Sequence, residues 1–316
     1  MNTRVVWAAI ALLVGLTRFC HIDLVWTEEA YPLAAAAEVL RGKMLYRDIW
    51  FDKPPFYALV YTLWGAQSGW PLRLAGAVYV LLACACVWRF ARDLWGETEA
   101  LWAAFLLAFF LTFGIPSAVM VLAPDLLMIV PHVLAVWLSW RRRPVAAGVL
   151  CGLAMLVNSK GLFVLAACLL WPGRVILLSS FALTQFGSAL VLPSEYWSQV
   201  WTWGFRYSAD SFYPFLEGVK RTGNWVGFTQ PLLLPPFVSG ASEAGELVSG
   251  CSFPLPLCLA AGDFSRYYFH LLPVITLCAA RGGVTVTPTQ SHRTRPTAGS
   301  LVPLCHAISL AQGDQA

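Results

Sequence analysis

The sequence is a succession of apolar runs whose flanking arginines fall at alternate ends, a pattern that commits a chain to crossing a bilayer repeatedly. The runs are Val5 to Ile22, Leu72 to Trp88, Leu101 to Ile115, Leu126 to Trp140, Val145 to Val157, Gly161 to Trp171 and Val175 to Leu192, with a further one from Tyr267 to Ala280. When successive runs cross in opposite directions, Arg4, Arg89, Arg92, Arg141, Arg142, Arg143 and Arg174 share one side. The excess of Lys and Arg in cytoplasmic loops makes that side the inner one. Pro54 to Gly69 is also apolar, but it is short for a span of roughly 20 residues and is bounded by Pro and Gly. Counting it as a crossing would move Arg89 and Arg92 outward, so it reads as a helix lying at the interface. The first run follows Arg4 with no small-residue cleavage site and serves as the first span or as an uncleaved signal anchor. The short pair around Lys160 is expected to tilt or to enter only part of the membrane. The fold class is all-α, a polytopic integral membrane protein with about 8–10 transmembrane helices.

Composition excludes the main alternatives. Of 316 residues, 58% are hydrophobic and 12% charged, against roughly 45–50% and 25% in an average soluble domain. The 15 Trp, 19 Phe and 10 Tyr are easier to place in membrane-interface belts than in one water-soluble globule. The nine cysteines mostly lie inside apolar runs, as Cys84, Cys86, Cys151, Cys168 and Cys278 do, and read as small packing residues. The formal charge of +4 reflects arginines beside apolar segments and not a nucleic-acid footprint. His21, His132 and His270 are isolated. There is no Walker A loop, no G-x-G-x-x-G and no G-x-S-x-G, which argues against soluble nucleotide or hydrolase chemistry.

The charge that remains is concentrated in the outer loop of residues 23–71. In Trp26-Thr27-Glu28-Glu29-Ala30-Tyr31-Pro32 the proline suits the first turn of a helix with an apolar stripe of Leu33, Ala34, Ala37 and Leu40, so Glu28 and Glu29 lie just ahead of a helix N-terminus. The helix dipole favours ionised carboxylates there, as a general base requires, and equally suits a solvated capping pair. Downstream, Arg47, Asp48, Asp52 and Lys53 crowd ahead of a rigid Pro54-Pro55. Lys53 is placed either to pair with a phosphate or to snorkel at the boundary. Asp125, after Pro124, and Lys160, between two uncharged runs, both fall at the outer boundary, where an ionisable residue is a functional candidate and snorkelling is the plainer reading. Arg266 and Tyr267 open the last apolar run on the same side. A second outer loop, residues 194–224, is rich in aromatics and suited to covering a site at the membrane surface. Residues 229–263 are atypical, and the tail from 284 to 316 has no periodicity and is expected to be disordered.

The order of these motifs resembles the GT-C glycosyltransferases of family 39, the protein O-mannosyltransferase and aminoarabinose-transferase type. The acidic pair appears as Glu28-Glu29, followed by Arg41-Gly42, Tyr46-Arg47-Asp48 and Lys53-Pro54-Pro55. Later come Pro124-Asp125, Lys160-Gly161 and Arg266-Tyr267 with Leu271-Leu272-Pro273. The resemblance covers roughly residues 1 to 228 and 264 to 283. It implies a GT-C transmembrane domain over 1–283 and an inverting transfer of a sugar from a polyprenyl-phosphate carrier to a lipid, glycan or protein acceptor, at the outer face of a bacterial inner membrane. By position it implies Glu28 as base, Glu29 and Asp125 as supports of acceptor or loop geometry, and Lys53, Lys160 and Arg266 on the phosphate side, with Arg47, Asp48 and Tyr267 also binding substrate.

The family usually has Asp where Glu28 stands, and its members are longer. Residues 229–263 and 284–316 depart from it, as a disturbed reading frame or a degraded copy would. A flippase for lipid-linked sugar and an inactive remnant are the competing readings. Against the flippase, the ionisable residues gather in an outer loop and not at mid-membrane on broken helices. The outer-loop carboxylates are of a type that binds a divalent metal, but no coordination set is fixed.

Overall fold

The computed structural model describes residues 2–113, 121–206 and 280, and among them every regular element is helical. In order these are α1 (Thr3–Phe19), α2 (Thr27–Leu40), the single turn α3 (Pro55–Leu59) continuing as a tight turn over Val60–Trp64, α4 (Trp70–Leu94), α5 (Glu97–Phe113), α6 (Pro124–Leu127), α7 (Ile129–Trp140), α8 (Pro144–Val157), α9 (Gly161–Cys168) and α10 (Arg174–Val191). Proline starts many of them. Pro55, Pro71, Pro124 and Pro144 all sit in the first two helical positions, where the missing N–H costs nothing and the fixed φ favours the helix.

Contacts give the bundle two distinct ends. Thr3 donates to Glu97 at 3.3 Å, and Trp7 meets Trp88 edge-on, so the start of α1, the end of α4 and the start of α5 lie together. Asp93 joins them, accepting from Trp137 at 3.0 Å and pairing with Arg89 at 3.4 Å and Arg141 at 3.2 Å. Pro144 touches Gly173 at the same end. Six of the arginines that the sequence pattern groups on one side, Arg89, Arg92, Arg141, Arg142, Arg143 and Arg174, are thus borne by this arginine end. The opposite, loop end carries α2, α3 and the residues around Leu122, Asp125 and Lys160.

Helix bounds agree with the apolar runs to within a few residues, with three informative differences. The helix holding the acidic pair begins at Thr27, so Glu28 and Glu29 are in its first turn and Pro32 lies inside it. The expected interfacial helix over 54–69 is shortened to the ten residues Pro55–Trp64, which tighten after Leu59 and end at Gly65. The run 126–140 is broken at Met128, because Pro131 removes the N–H that would bond the Leu127 carbonyl; the Tyr79 hydroxyl supplies a donor to it instead. The helix α9 rises only ~12 Å, yet residues 161–173 still run from the loop end to the arginine end. The last apolar run, residues 267–280, the loop beyond 206 and the tail 284–316 fall outside the described residues, apart from Ala280.

Among the described residues two helices, α4 with 25 residues and mean hydropathy 1.9 and α10 with 18 residues and 1.4, are by length and composition able to cross a membrane. The outer faces of the bundle are apolar: Leu12, Val175, Leu183 and Val191 are all more than 60% exposed. Helix α10 has only Leu177 buried, an arrangement suited to hydrocarbon and not to water. Inside, α8 packs on α10 through Gly148 and Gly152, one turn apart; a Cβ on Gly152 would come within 2.7 Å of the Thr184 methyl.

Candidate active site

At the loop end, the two adjacent acids have opposite fates. Successive helical residues point about 100° apart, so Glu28 and Glu29 cannot share an environment. Glu29 is fully buried. Its carboxylate takes both guanidinium arms of Arg73, at 2.9 Å to Oε1 and 2.6 Å to Oε2, and Oε1 also accepts from the Leu122 amide at 3.0 Å. Arg73 is itself 1% exposed, donates to the Leu24 carbonyl at 2.7 Å and lies 4.7 Å from the Trp26 ring centroid. Arg18, buried at the end of α1, stands within electrostatic reach of both and rests on Gly76 of α4. Glu29 therefore ties α2 to α4 and to the segment leading into Asp125. Glu28 is exposed; its main-chain carbonyl accepts from the Tyr57 hydroxyl of α3.

Neither Arg73 nor Arg18 is among the sequence candidates, although a signal for both exists. Each lies inside an apolar run at the end away from the other arginines, and an ionisable residue so placed needs a partner.

The tyrosine-arginine-aspartate segment is a tight turn. Asp48 Oδ2 accepts from the Met44 amide at 2.8 Å, and the Asp48 amide donates to the Met44 carbonyl at 2.9 Å. The Asp48 carboxylate thus closes a turn, while Arg47 is exposed. Tyr46 is buried with φ of 73°, a left-handed conformation rare outside glycine. Its hydroxyl donates to the Lys53 carbonyl at 2.8 Å. Gln199, from the turn Trp197–Thr202, donates to the Tyr46 carbonyl at 2.6 Å and accepts from the Phe51 amide at 2.9 Å, fastening the start of the second outer loop onto the first. Sequence reasoning offered no sign of Gln199, since a lone glutamine among aromatics has no pattern. Lys53 Nζ lies 3.0 Å from Asp52 Oδ2, with the lysine 43% exposed. The Asp52 amide donates to Tyr31 Oη at 3.1 Å.

Asp125 and Lys160 form one cluster. Lys160 Nζ reaches Asp125 Oδ1 at 2.9 Å, and Asn158 Nδ2 donates to the same oxygen at 2.7 Å. Helix α3 packs against α8, which carries this cluster at its end. Tyr57 lies in between: burial first, then the Glu28, Asp125 and Glu29 carboxylates, push its hydroxyl well above its ordinary value, so it remains a donor. The arrangement brings an exposed carboxylate, a second carboxylate paired with a lysine, the exposed Arg47 and the half-buried Lys53, paired with Asp52, to one end of a membrane bundle. Such a set can accept a proton from a hydroxyl and hold an anionic group. Arg266 and Tyr267 lie outside the described residues. Among the described residues no three His, Cys, Asp or Glu side chains converge as metal ligands.

This helical order has a counterpart in a solved structure. The chain is similar to ArnT from Cupriavidus metallidurans, crystallised bound to undecaprenyl phosphate, with a TM-score of 0.57 and 19% identity over 89% of this chain and 59% of that one. The likeness is one of fold: the helices follow the architecture of that polytopic membrane protein. This chain spans about three fifths of the length of that protein. Residues 52–197, from the residue before Lys53 through the second outer loop's first turn, match the family model described as dolichyl-phosphate-mannose-protein mannosyltransferase. No curated protein matches the chain.

Proposed function

We propose that the protein transfers a sugar from a polyprenyl-phosphate carrier to a hydroxyl- or amine-bearing lipid, glycan or protein acceptor, with inversion, at the outer face of the membrane. The observation that carries this reading is the division of labour in the acidic pair: Glu29 is neutralised inside the bundle by Arg73, while Glu28 is exposed beside Tyr57, within whose reach Asp125 also lies. The undecaprenyl phosphate bound by the structurally similar ArnT and the mannosyltransferase model over 52–197 support a lipid-phosphate donor. The arginine end supplies the cytoplasmic side by the positive-inside rule, which leaves the acids outside.

In this reading Glu28 accepts the acceptor's proton as its oxygen or nitrogen attacks the anomeric carbon, and the lipid phosphate departs from the opposite face. Lys53 and Arg47 neutralise the charge that grows on the phosphate, with Arg266 and Tyr267 assigned to the same side by resemblance. Glu29 acts by holding the first turn of α2. Asp125 orients Lys160 and with it the end of α8. Asp48 acts through the loop turn that presents Arg47.

The test uses the protein reconstituted in vesicles, labelled polyprenyl-phosphate sugar and an acceptor extract. Transfer is expected to disappear in Glu28→Gln and to persist in Thr98→Ala, an exposed change at the arginine end. Transfer that persists in Glu28→Gln overturns the base assignment; movement of the labelled lipid across the bilayer without transfer overturns the transferase reading.

A further inference from the structure

The second turn of α2 contains a proline where a helix normally has a donor. Pro32 has no N–H, so the carbonyl four residues earlier, that of Glu28, is left without its helical partner. That carbonyl accepts from the Tyr57 hydroxyl. One helical turn further along the same loop, Tyr61 donates at 2.7 Å to the carbonyl of Leu122, three residues before Asp125. Both rings are almost completely buried and touch edge to face, with centroids 6.2 Å apart. The Leu122 peptide is held from its other side as well, its amide donating to Glu29. Two tyrosines of one short element thus grip the main chain of the two segments that carry Glu28 and Asp125.

Pro32 therefore has a use beyond shaping a helix: it frees a carbonyl for a grip from outside the helix. The same substitution of a tyrosine hydroxyl for a proline's missing N–H occurs at Pro131, where Tyr79 donates to Leu127. Tyr46, donating to the carbonyl of Lys53 just ahead of Pro54-Pro55, extends the theme to the loop's cationic residue.

We propose that Tyr57 and Tyr61 are positioning residues that fix the separation of Glu28 from Asp125, with Pro32 vacating the carbonyl that Tyr57 holds. The inference rests on the reading of Glu28 as the base. A brace of this kind works on geometry and not on donor affinity. Misplacing a reacting group by about 1 Å costs on the order of 100-fold in rate, so loss of either hydroxyl lowers kcat by about ten- to a hundredfold and leaves KM for the lipid donor within about twofold. Because one brace with two arms fails when either arm is lost, the double variant loses little more than the worse single one.

The experiment compares Tyr57→Phe, Tyr61→Phe, the double variant and Pro32→Ala with and without Tyr57→Phe, each in vesicles. Two readouts are taken: steady-state transfer, and amide hydrogen exchange of residues 26–31 and 121–127 by mass spectrometry. Tyr57→Phe is expected to speed exchange in 26–31 and Tyr61→Phe in 121–127, with α8 unchanged. Pro32→Ala restores a helical N–H, so Tyr57→Phe costs markedly less in that background. A kcat loss with unchanged KM, non-additive in the double variant, supports the proposal. Unchanged exchange in both segments, or kcat losses that simply multiply, overturns it. If the unaltered protein transfers no sugar, the reading of its function fails, while the exchange data and the Pro32 background still decide whether the brace exists.

Discussion

The buried charges at the loop end make an asymmetric prediction: removing Glu29 harms the fold more than removing Arg73, although they are partners in one ion pair. Breaking a buried pair by deleting one partner costs about 3–5 kcal/mol, because the other charge is left uncompensated. Three charges meet here, since Arg18 of α1 lies against Gly76 of α4, three residues along from Arg73, and senses both Arg73 and Glu29. Arg73→Met leaves one anion facing one cation, with the Leu122 amide still on Glu29, so its cost falls near 3 kcal/mol. Glu29→Gln removes the carboxylate that both buried guanidiniums sense and leaves their mutual repulsion, so its cost falls near 5 kcal/mol. At about 2–4 °C per kcal/mol for a chain of this size class, the melting temperature drops by roughly 6–12 °C and 10–20 °C respectively. In the double variant the like-charge repulsion is relieved, so its loss is well short of the sum of the two. Tryptophan fluorescence during heating measures this directly in detergent or nanodiscs, given 15 tryptophans. A Glu29→Gln protein that melts within about 2 °C of the unaltered one, or above Arg73→Met, refutes the idea that Glu29 neutralises both arginines.

Other consequences can be checked with the same preparations. Glu28→Gln, at an exposed position, should shift the melting temperature by less than about 2 °C while abolishing transfer, a separation of stability from activity opposite to that at Glu29. Gly152→Val should cost about 1–3 kcal/mol, read as a lower melting temperature, because its side chain would collide with Thr184 and force α8 from α10. Gln199→Ala removes two hydrogen bonds to the first loop and should make residues 44–53 exchange amide protons faster, leaving α4 as slow as before. Burial raises the tyrosine hydroxyls of Tyr31, Tyr46 and Tyr57, so the fold favours their neutral forms. Stability from them is fully present below pH of about 10, the value of a free phenol, and declines as pH rises above it; melting curves from pH 8 upward, less steep in Tyr57→Phe, report this.

Much of the fold is legible in the sequence because bilayer solvent leaves few choices. Apolar runs must be helices, their ends are marked by Pro, Gly and Arg, and the arginines fix alternation. Those are local signals, and the observed helices start within a few residues of Leu72, Leu101, Val145 and Val175. The interfacial segment after Pro55 is harder to read because its packing, not its hydropathy, decides how far it winds. The break at Met128 follows from Pro131 and is readable; the hydroxyl that covers the broken carbonyl comes from Tyr79, 48 residues from Leu127, and is not.

The acidic pair shows where such legibility stops. Glu28 and Glu29 are the same residue type, adjacent, at the same helix end, and the dipole treats both alike. Helical rotation separates them, but rotation alone leaves open which of the two turns inward. Three residues distant in sequence decide it. Arg73 supplies a buried cation that only one of the two faces can reach, Arg18 adds a second cation that deepens the need for an anion there, and Leu122 offers an amide on the same side. Exchanging the pair's roles would take from the buried Arg73 the carboxylate that holds both of its arms. The exposed carboxylate is thereby fixed as Glu28, and the base proposed at the membrane surface depends on the choice of partner for its neighbour.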